Sequence, residues 1–148
     1  MRISAKGRYG LSAMIFLAQN ENQNRCVAVL AISEKLGISK IYLEQVFALL
    51  KKANLVTSIK GANGGYQLSR RADEITAFDI LSAIESTLFE TTENALPPQA
   101  SHINSALDTL LWKKLDESVK ECLISVSLAD LAAQALLNEQ KGNFMYFI

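Results

Sequence analysis

Two short segments of the chain carry side chains that could bind a ligand specifically. The first combines hydroxyl, ammonium, carboxylate and carboxamide groups, contributed by Ser39, Lys40, Tyr42, Glu44 and Gln45. On an exposed helix face, a carboxamide can pair with adenine, a carboxylate can accept from the cytosine amino group, and an ammonium can reach guanine or phosphate. A solvated helix face is the alternative interpretation when this segment is taken alone.

The second segment is a glycine-rich stretch that follows a lysine. Residues 60–65 read KGANGG. Because glycine has no side chain, such a loop can approach another surface closely, and a basic hairpin tip can contact phosphates or enter the minor groove of DNA. The candidate contacts here are Lys60, Gly61, Asn63, Gly64 and Gly65. A basic patch at the N-terminus adds Arg2, Lys6 and Arg8.

The charges are divided unevenly along the chain. The 148 residues have a formal net charge of zero, but residues 1–75 contain 11 Lys and Arg against 5 Asp and Glu. Residues 76–148 contain 4 Lys and Arg against 10 Asp and Glu. This asymmetry favours an N-terminal half that meets phosphate groups and a C-terminal half with another task. Chance clustering is the alternative.

Three helices are predicted to position the first segment. Apolar residues spaced at i, i+3, i+4 and i+7 predict a helix over residues 4–19, and further patterns predict helices over 29–36 and 39–53. Gly37 stands where a left-handed C-cap residue is needed, and Ser39 is the expected N-cap of the third helix. A short helix, a tight turn and a longer helix are typical of a helix-turn-helix.

The pattern changes from helical to alternating after the third helix. Residues 55–60 and 66–69 predict two strands joined by a glycine-rich loop. A hairpin directly after a helix-turn-helix is a wing. Thr76 and Asp79 then predict a capping box that opens a fourth helix to about Glu85. The predicted fold class is therefore mainly α with a small β-hairpin wing.

The C-terminal half is predicted to provide the contact between two copies of the chain in a dimer. Residues 86–101 lack periodicity and contain a Pro-Pro step, which predicts a linker. A long helix over 101–123 follows, and its apolar stripe consists of Ile103, Leu107, Leu110, Leu111, Leu115, Val119 and Cys122. A second copy of the chain is the simplest partner for this stripe, although part of it can pack on its own domain. The expected division is a DNA-binding domain over 1–85, a linker over 86–101, and a dimerisation segment over 102–148.

Two further expectations concern the end of the chain. Ser127 and Asp130 predict a capped last helix that runs to about Asn138. The apolar terminus, residues 144–148, is expected to dock somewhere rather than fray, and Cys122, on the apolar stripe, is expected to be a packed side chain.

Enzymatic and metal chemistry find little support in the sequence. The chain has one histidine, His102, and two cysteines far apart, Cys26 and Cys122. They form neither a metal-ligand pattern nor a disulfide framework. Residues 61–65 lack the Lys-Ser/Thr ending of a phosphate-binding loop. No run is long enough for a membrane helix or a signal peptide. We therefore expect a cytoplasmic protein that is not an enzyme.

Three sequence motifs occur in a fixed order. Residues 2–11 read RISAKGRYGL, residues 42–45 read YLEQ, and residues 60–68 read KGANGGYQL. These motifs resemble the Rrf2 family of bacterial winged-helix transcription regulators, and the likeness continues more weakly through 111–112 and 127–131. The resemblance implies a homodimer on a pseudo-palindromic operator, with the third helix in the major groove and the wing beside it. It assigns groove contacts to Ser39, Tyr42, Glu44 and Gln45, and wing contacts to Lys60, Gly61 and Gly64.

The chain departs from this family in one respect. Cluster-binding members carry three cysteines between the fourth helix and the long helix, whereas residues 86–101 contain none. Iron–sulfur clusters are held mainly by cysteine thiolates. The chain therefore resembles the cluster-free branch of the family, which includes a repressor of cysteine metabolism, and we expect no metal or cofactor.

The predicted function is a sequence-specific, homodimeric DNA-binding regulator, most simply a repressor. The alternative is a winged-helix module that binds a metabolic enzyme rather than DNA. Three signals stay open: oxidation of Cys26, which lies beside Arg25; a partner enzyme; and a small molecule bound near the linker. A small buried residue is the other interpretation of Cys26.

Overall fold

A computed structural model describes residues 3–21, 25–90 and 96–146. Seven α-helices and one hairpin are found in these ranges: α1 (Ala5–Gln19), α2 (Val29–Leu36), α3 (Lys40–Lys52), β1 (Val56–Ile59), β2 (Gly65–Leu68), α4 (Ala77–Ile84), α5 (Ser101–Leu107), α6 (Lys113–Ile124) and α7 (Leu128–Tyr146). This mainly helical fold with an antiparallel hairpin confirms the predicted fold class.

The helix-turn-helix is formed by α2 and α3. Gly37 ends α2 with φ 67°, the left-handed conformation that a residue without a Cβ adopts at little cost. Ser39 occupies the N-cap position of α3, but its side chain forms no capping hydrogen bond, so the expected cap contact is wrong. Ser39 is exposed at the start of the helix. The start of α3 is therefore held by packing rather than by its cap.

The core lies between the first four helices and the hairpin. It contains Met14 and Leu17 of α1, Ile32 of α2, and a continuous face of α3 formed by Leu43, Val46, Phe47 and Leu50. The rings of Phe47 and Tyr66 stack with their centroids 4.4 Å apart, which joins α3 to the wing. Burying these apolar faces fixes the direction in which the opposite face of α3 points.

The wing pairs in one register and is joined to the chain before α2. Val56 lies opposite Leu68, and Ile59 lies opposite Gly65. The backbone of Val27 donates to the carbonyl of Tyr66 at 2.8 Å and accepts from the Tyr66 amide at 2.9 Å. The hairpin therefore extends its ladder by one bridge onto the segment that enters the helix-turn-helix.

Two capping boxes follow the wing, as the sequence predicts. Thr76 accepts from the Asp79 amide at 3.1 Å, and the Asp79 carboxylate accepts from the Thr76 amide at 2.9 Å. Ser127 and Asp130 form the same pair at the start of α7. Leu128 is fully buried in the core, so α7 begins by packing against the N-terminal helices.

The long helix predicted after the linker is continuous from α5 to α6, with one irregular turn between them. A π-helical turn, Asp108–Trp112, joins α5 to α6, and Lys113 keeps helical dihedrals of φ −59° and ψ −43°. Much of its apolar surface is exposed in the single chain: Ile103, Leu110, Leu111, Trp112, Leu115 and Ile124. Val119 and Leu123 are half-buried, and the Lys120 ammonium lies 5.6 Å from the Phe78 ring centroid, so α6 rests on α4 along one side only.

One expectation for the C-terminus is wrong, and two others stay predictions. The last helix continues to Tyr146 rather than ending near Asn138, because residues 139–141, Glu-Gln-Lys, favour a helix although the apolar periodicity has ended. Phe144 is 68% exposed and Met145 is 76% exposed in the single chain, so docking of the tail stays a prediction for the assembled protein; residues 147 and 148 lie outside the described residues. Cys122 is exposed on α6 in the single chain, as is most of the apolar stripe to which it belongs, so its packing also stays a prediction.

Within the described ranges, none of the helices combines the length and the hydropathy needed to cross a membrane.

Candidate nucleic-acid interface

The outward face of α3 carries most of the predicted groove contacts. Ser39, Lys40, Glu44 and Gln45 are all exposed. The Lys40 ammonium lies 3.8 Å from the Glu44 carboxylate, one helical turn away. An exposed pair of this kind contributes little to stability, so both side chains can exchange it for contacts to a ligand at little cost. The face can therefore offer a cation, a carboxylate and a carboxamide to the same groove.

Tyr42 differs from these residues because its ring is half-buried. It meets the Tyr9 ring edge to face, with centroids 5.2 Å apart and planes at 83°. Tyr42 thus joins α3 to α1 through its ring, and only the exposed part of its side chain is accessible to a ligand.

The wing tip divides into an exposed part and a packed part. Lys60, Gly61 and Asn63 are exposed, whereas Gly64 and Gly65 are half-buried. Lys60 forms no ion pair with the described residues. The lysine and the tip of the loop are accordingly the parts of the wing that can approach a phosphate backbone.

The basic residues at the base of the wing are largely neutralised within the chain. Arg70 lies 3.4 Å from the Asp79 carboxylate, and Arg71 lies 2.6 Å from that of Asp73. The hydrogen bonds that Arg71 donates to the Asp73 carboxylate, together with the negative charge of that carboxylate, raise the pKa of Arg71. The positive charge available to a ligand therefore lies on α1, α3 and the wing tip, together with the exposed Arg25 and Lys35 before and on α2, rather than on residues 70–71.

The N-terminal basic patch is carried by the first turn of α1. Lys6 is half-buried and Arg8 is exposed, whereas Arg2 lies outside the described residues. Ser4 caps α1 by accepting from the Gly7 amide at 3.0 Å. The Glu85 carboxylate accepts from the Ser4 amide at 2.8 Å and from its hydroxyl at 2.6 Å. A residue at the end of α4 thereby fixes the start of the basic helix.

Replacing Glu85 with glutamine should weaken this attachment. We expect the free energy of unfolding to fall by roughly 1 kcal/mol, since the charged acceptor of two hydrogen bonds is replaced by a neutral carboxamide oxygen. Urea unfolding at one fixed protein concentration measures the change. Glu90→Gln, which removes the same charge from an exposed side chain nearby, is the matched control. Equal effects of the two substitutions would show that the Ser4 contacts do not stabilise α1.

Sequence reasoning missed Tyr9 and Glu85 as positioning residues. Tyr9 is part of the family-like opening motif, yet nothing local indicates its contact with α3. Glu85 acts across 81 positions of sequence, and a carboxylate at a helix end gives no sign of which distant amide it accepts from.

Cys26 lies beneath the wing. Its side chain is half-buried, and its Sγ atom is 3.8 Å from Gln67 Oε1. It lines an open cleft of about 680 Å³ together with Arg25, Ala62, Asn63 and Gly64. A chemical change at this sulfur would therefore occur next to the wing tip.

The helix-turn-helix, its exposed polar face and the hairpin define a winged-helix transcription regulator. Residues 3–134 match the Rrf2 family, described as an iron-dependent transcriptional regulator. The chain belongs to the Rrf2 family, which confirms the resemblance seen in its motifs.

Particular relatives are similar over most of the chain. The HTH-type transcriptional regulator CymR of Bacillus subtilis is 36% identical and is covered, like this chain, over its whole length. The regulator IscR of Erwinia tasmaniensis is 34% identical over 88% of this chain and 78% of its own. The structure of CymR, the global cysteine regulator of B. subtilis, has a TM-score of 0.72 with 38% identity over 90% of this chain and 98% of that chain. An oxidised form of Staphylococcus aureus CymR has a TM-score of 0.67 with 39% identity over 89% and 96%.

The donor set does not fit the iron–sulfur cluster of the cluster-binding members. Among the described residues, no three His, Cys, Asp or Glu side chains are grouped so as to hold a metal ion. The two cysteines lie beneath the wing and on α6, respectively, and the segment between α4 and α5 contains none. Three thiolates cannot be assembled within one chain.

Proposed function

We propose that this protein is a homodimeric repressor that binds a pseudo-palindromic operator without an iron–sulfur cluster. Residues 1–85 bind DNA, residues 86–101 link, and residues 102–148 provide the dimer contact. The protein acts in the bacterial cytoplasm, where its DNA target is found. The observation that carries the proposal is the exposed polar face of α3, set opposite its buried face and followed by the wing.

The assignment of DNA as the ligand rests on this face and on charge. Lys40, Glu44 and Gln45 point away from the core, and a recognition helix reads base edges with residues of its N-terminal part. Two further exposed cations are Arg8, which precedes α3 in the sequence, and Lys60, which follows it. A carboxylate such as Glu44 is repelled by phosphate, so its presence on this face favours a contact to a base rather than non-specific binding.

The assignment of a homodimer rests on the exposed apolar side of the long helix. Leu110, Leu111 and Leu115 are 67%, 46% and 49% exposed in the single chain. A contiguous apolar face of this kind is typical of an interface. In a closed two-fold dimer the same face of each copy covers the other, which places two recognition helices on two half-sites.

A salt-titrated binding assay tests the function directly. The full-length protein is measured against the DNA upstream of its own gene and against a scrambled duplex of equal composition, because repressors of this kind often regulate themselves. We expect tighter binding to the upstream DNA and a steep loss of affinity with salt. Equal and weak binding to both would contradict the proposal and favour the alternative, a winged-helix module that binds a metabolic enzyme.

Two substitutions should separate backbone contact from base recognition. Lys60→Ala should weaken binding to every duplex alike and lower the salt dependence by about one phosphate contact. Gln45→Ala, or Glu44→Ala, should instead reduce the preference for particular base pairs by about 1–3 kcal/mol. Binding measured on a panel of single-base-pair variants distinguishes the two. If both helix substitutions left the base preference intact, the reading face would be assigned wrongly.

Cys26 is the signal residue that the geometry favours. It lines the cleft under the wing tip, and its sulfur lies 3.8 Å from Gln67 Oε1 on β2, so an oxygen added to this sulfur would change a contact of the element proposed to bind DNA. The similarity to a CymR crystallised in an oxidised form supports this choice. Peroxide treatment should lower DNA affinity reversibly, and Cys26→Ser should abolish that response while Cys122→Ser retains it.

A further inference from the structure

The recognition helix exposes an apolar side chain within its polar face. Ile41, in the first turn of α3, is 70% exposed. Between residues 3 and 90, the other exposed large hydrophobic residues that the structure describes are Leu30 and Ile59, at 53% and 52%. Ile41 is therefore the most exposed of the large apolar side chains in the described part of the winged-helix region.

Helical geometry puts Ile41 near the centre of the outward arc. Successive residues of an α-helix are separated by about 100° around the axis. On that basis Lys40 and Glu44 mark one edge of the exposed arc, Gln45 marks the other, and Ile41 and Ala48 lie between them. All five residues are exposed. From residue 40 to residue 48 the middle of the reading face is thus apolar and its edges are polar; the exposed Lys52 shares this arc only in the last turn of α3.

This arrangement gives Ile41 a specific partner on DNA. A branched aliphatic side chain cannot hydrogen-bond, so it discriminates among base pairs only by shape and by apolar contact. The major groove presents one apolar group of this kind, the 5-methyl group of thymine. The position in the first turn is where recognition helices contact base edges. Accordingly, we infer that Ile41 determines specificity by contacting a thymine methyl group in each half-site.

The inference rests on the proposed function and assigns one base, a thymine, in each half-site of the proposed operator. Lys40, Glu44 and Gln45 would then read hydrogen-bonding edges on the pairs that flank this thymine. Ile41 is stiff at its first side-chain torsion because it is β-branched, which fits a fixed contact better than a flexible side chain would.

Selection followed by removal of a single methyl group tests the inference. The wild-type protein is first allowed to select its site from a pool of random double-stranded DNA. Each thymine of the selected site is then replaced in turn by uracil, which removes the 5-methyl group and keeps the base pair. We expect one position per half-site at which uracil weakens binding about three- to tenfold, in line with the loss of one buried methyl group.

The substitution Ile41→Ala should remove that sensitivity, so that thymine and uracil duplexes bind equally. Ile59→Ala makes the same change at another exposed isoleucine, on the wing, and should leave the uracil effect intact. Ile41→Val, which keeps the branched side chain, should retain most of it. Because Ile41 is exposed, none of these results requires a change in folding, and circular dichroism with dimer mass verifies this.

The outcomes separate the inference from the function on which it rests. A wild-type protein that selects no sequence overturns both. A selected site whose uracil sensitivity is unchanged in Ile41→Ala, or is lost equally in Ile59→Ala, overturns the inference alone and leaves the regulator intact.

Discussion

Replacing Leu115 by glutamate is expected to convert the proposed dimer to a monomer and to lower the affinity for the proposed operator by about two orders of magnitude, because two linked half-site contacts become one. Leu115 is 49% exposed in the single chain and follows Leu111 by one helical turn. A charge at the centre of an apolar interface is left without a partner, whereas in the monomer it faces water. The single chain should therefore stay folded while its association is lost.

Sedimentation or light scattering measures the mass, and the same sample is used for the DNA titration. Glu117→Lys is the matched control, since residue 117 is exposed and lies about 200° around the helix from residue 115. It changes the charge by two units on the other side of α6 and should leave the dimer intact. If the Leu115→Glu protein remained dimeric, the interface would have to be assigned to another surface. The next candidates are the exposed apolar residues of α7, Leu136 and Leu137.

The elements that the sequence predicts best are those with local signals. Gly37, Thr76 and Ser127 mark helix ends through backbone conformation or short-range hydrogen bonds, and each lies where the pattern puts it. The predicted bounds of α2 need no correction, because the apolar pattern and Gly37 both indicate that the helix ends at Leu36. The family motifs add the order of the helix-turn-helix and the wing.

What sequence reasoning misplaces lies beyond the reach of a local pattern. The pattern ends α7 near Asn138, because periodicity indicates where a helix packs, whereas an exposed helix can continue without it. The pattern also predicts a packed Cys122, which is exposed in the single chain together with most of its stripe, so this packing stays a prediction for the proposed dimer. At the candidate interface, the pattern selected the polar residues of α3 and passed over Ile41, whose importance is visible only when its exposure is known.

The attachment of the wing gives the second large effect, the substitution Gly65→Ala. A Cβ atom at Gly65 would lie 2.3 Å from the Val27 carbonyl oxygen and 2.7 Å from the Ala28 amide nitrogen. These are backbone atoms, so no side chain can turn away to make room. The residue also has φ +156°, which an L side chain rarely adopts. The wing must therefore separate from the segment before α2.

That separation would break both hydrogen bonds between Val27 and Tyr66 and disturb the stack of Tyr66 on Phe47. We expect the free energy of unfolding to fall by about 3 kcal/mol, from backbone strain together with the lost bridge. Urea unfolding measures this change, at one protein concentration because the proposed dimerisation would also stabilise the folded state.

Gly61→Ala provides the control within the same wing. Gly61 also has a positive φ, +116°, but among the described residues, its two chain neighbours aside, no heavy atom lies within 4 Å of its added Cβ. Only the conformational strain applies there, and we expect a loss of about 1 kcal/mol. A threefold ratio between the two variants would assign most of the Gly65 effect to its contact with Val27. Equal losses would mean that the wing moves away from Val27 at no cost, and its orientation beside α3 would then be set by the Phe47–Tyr66 stack alone.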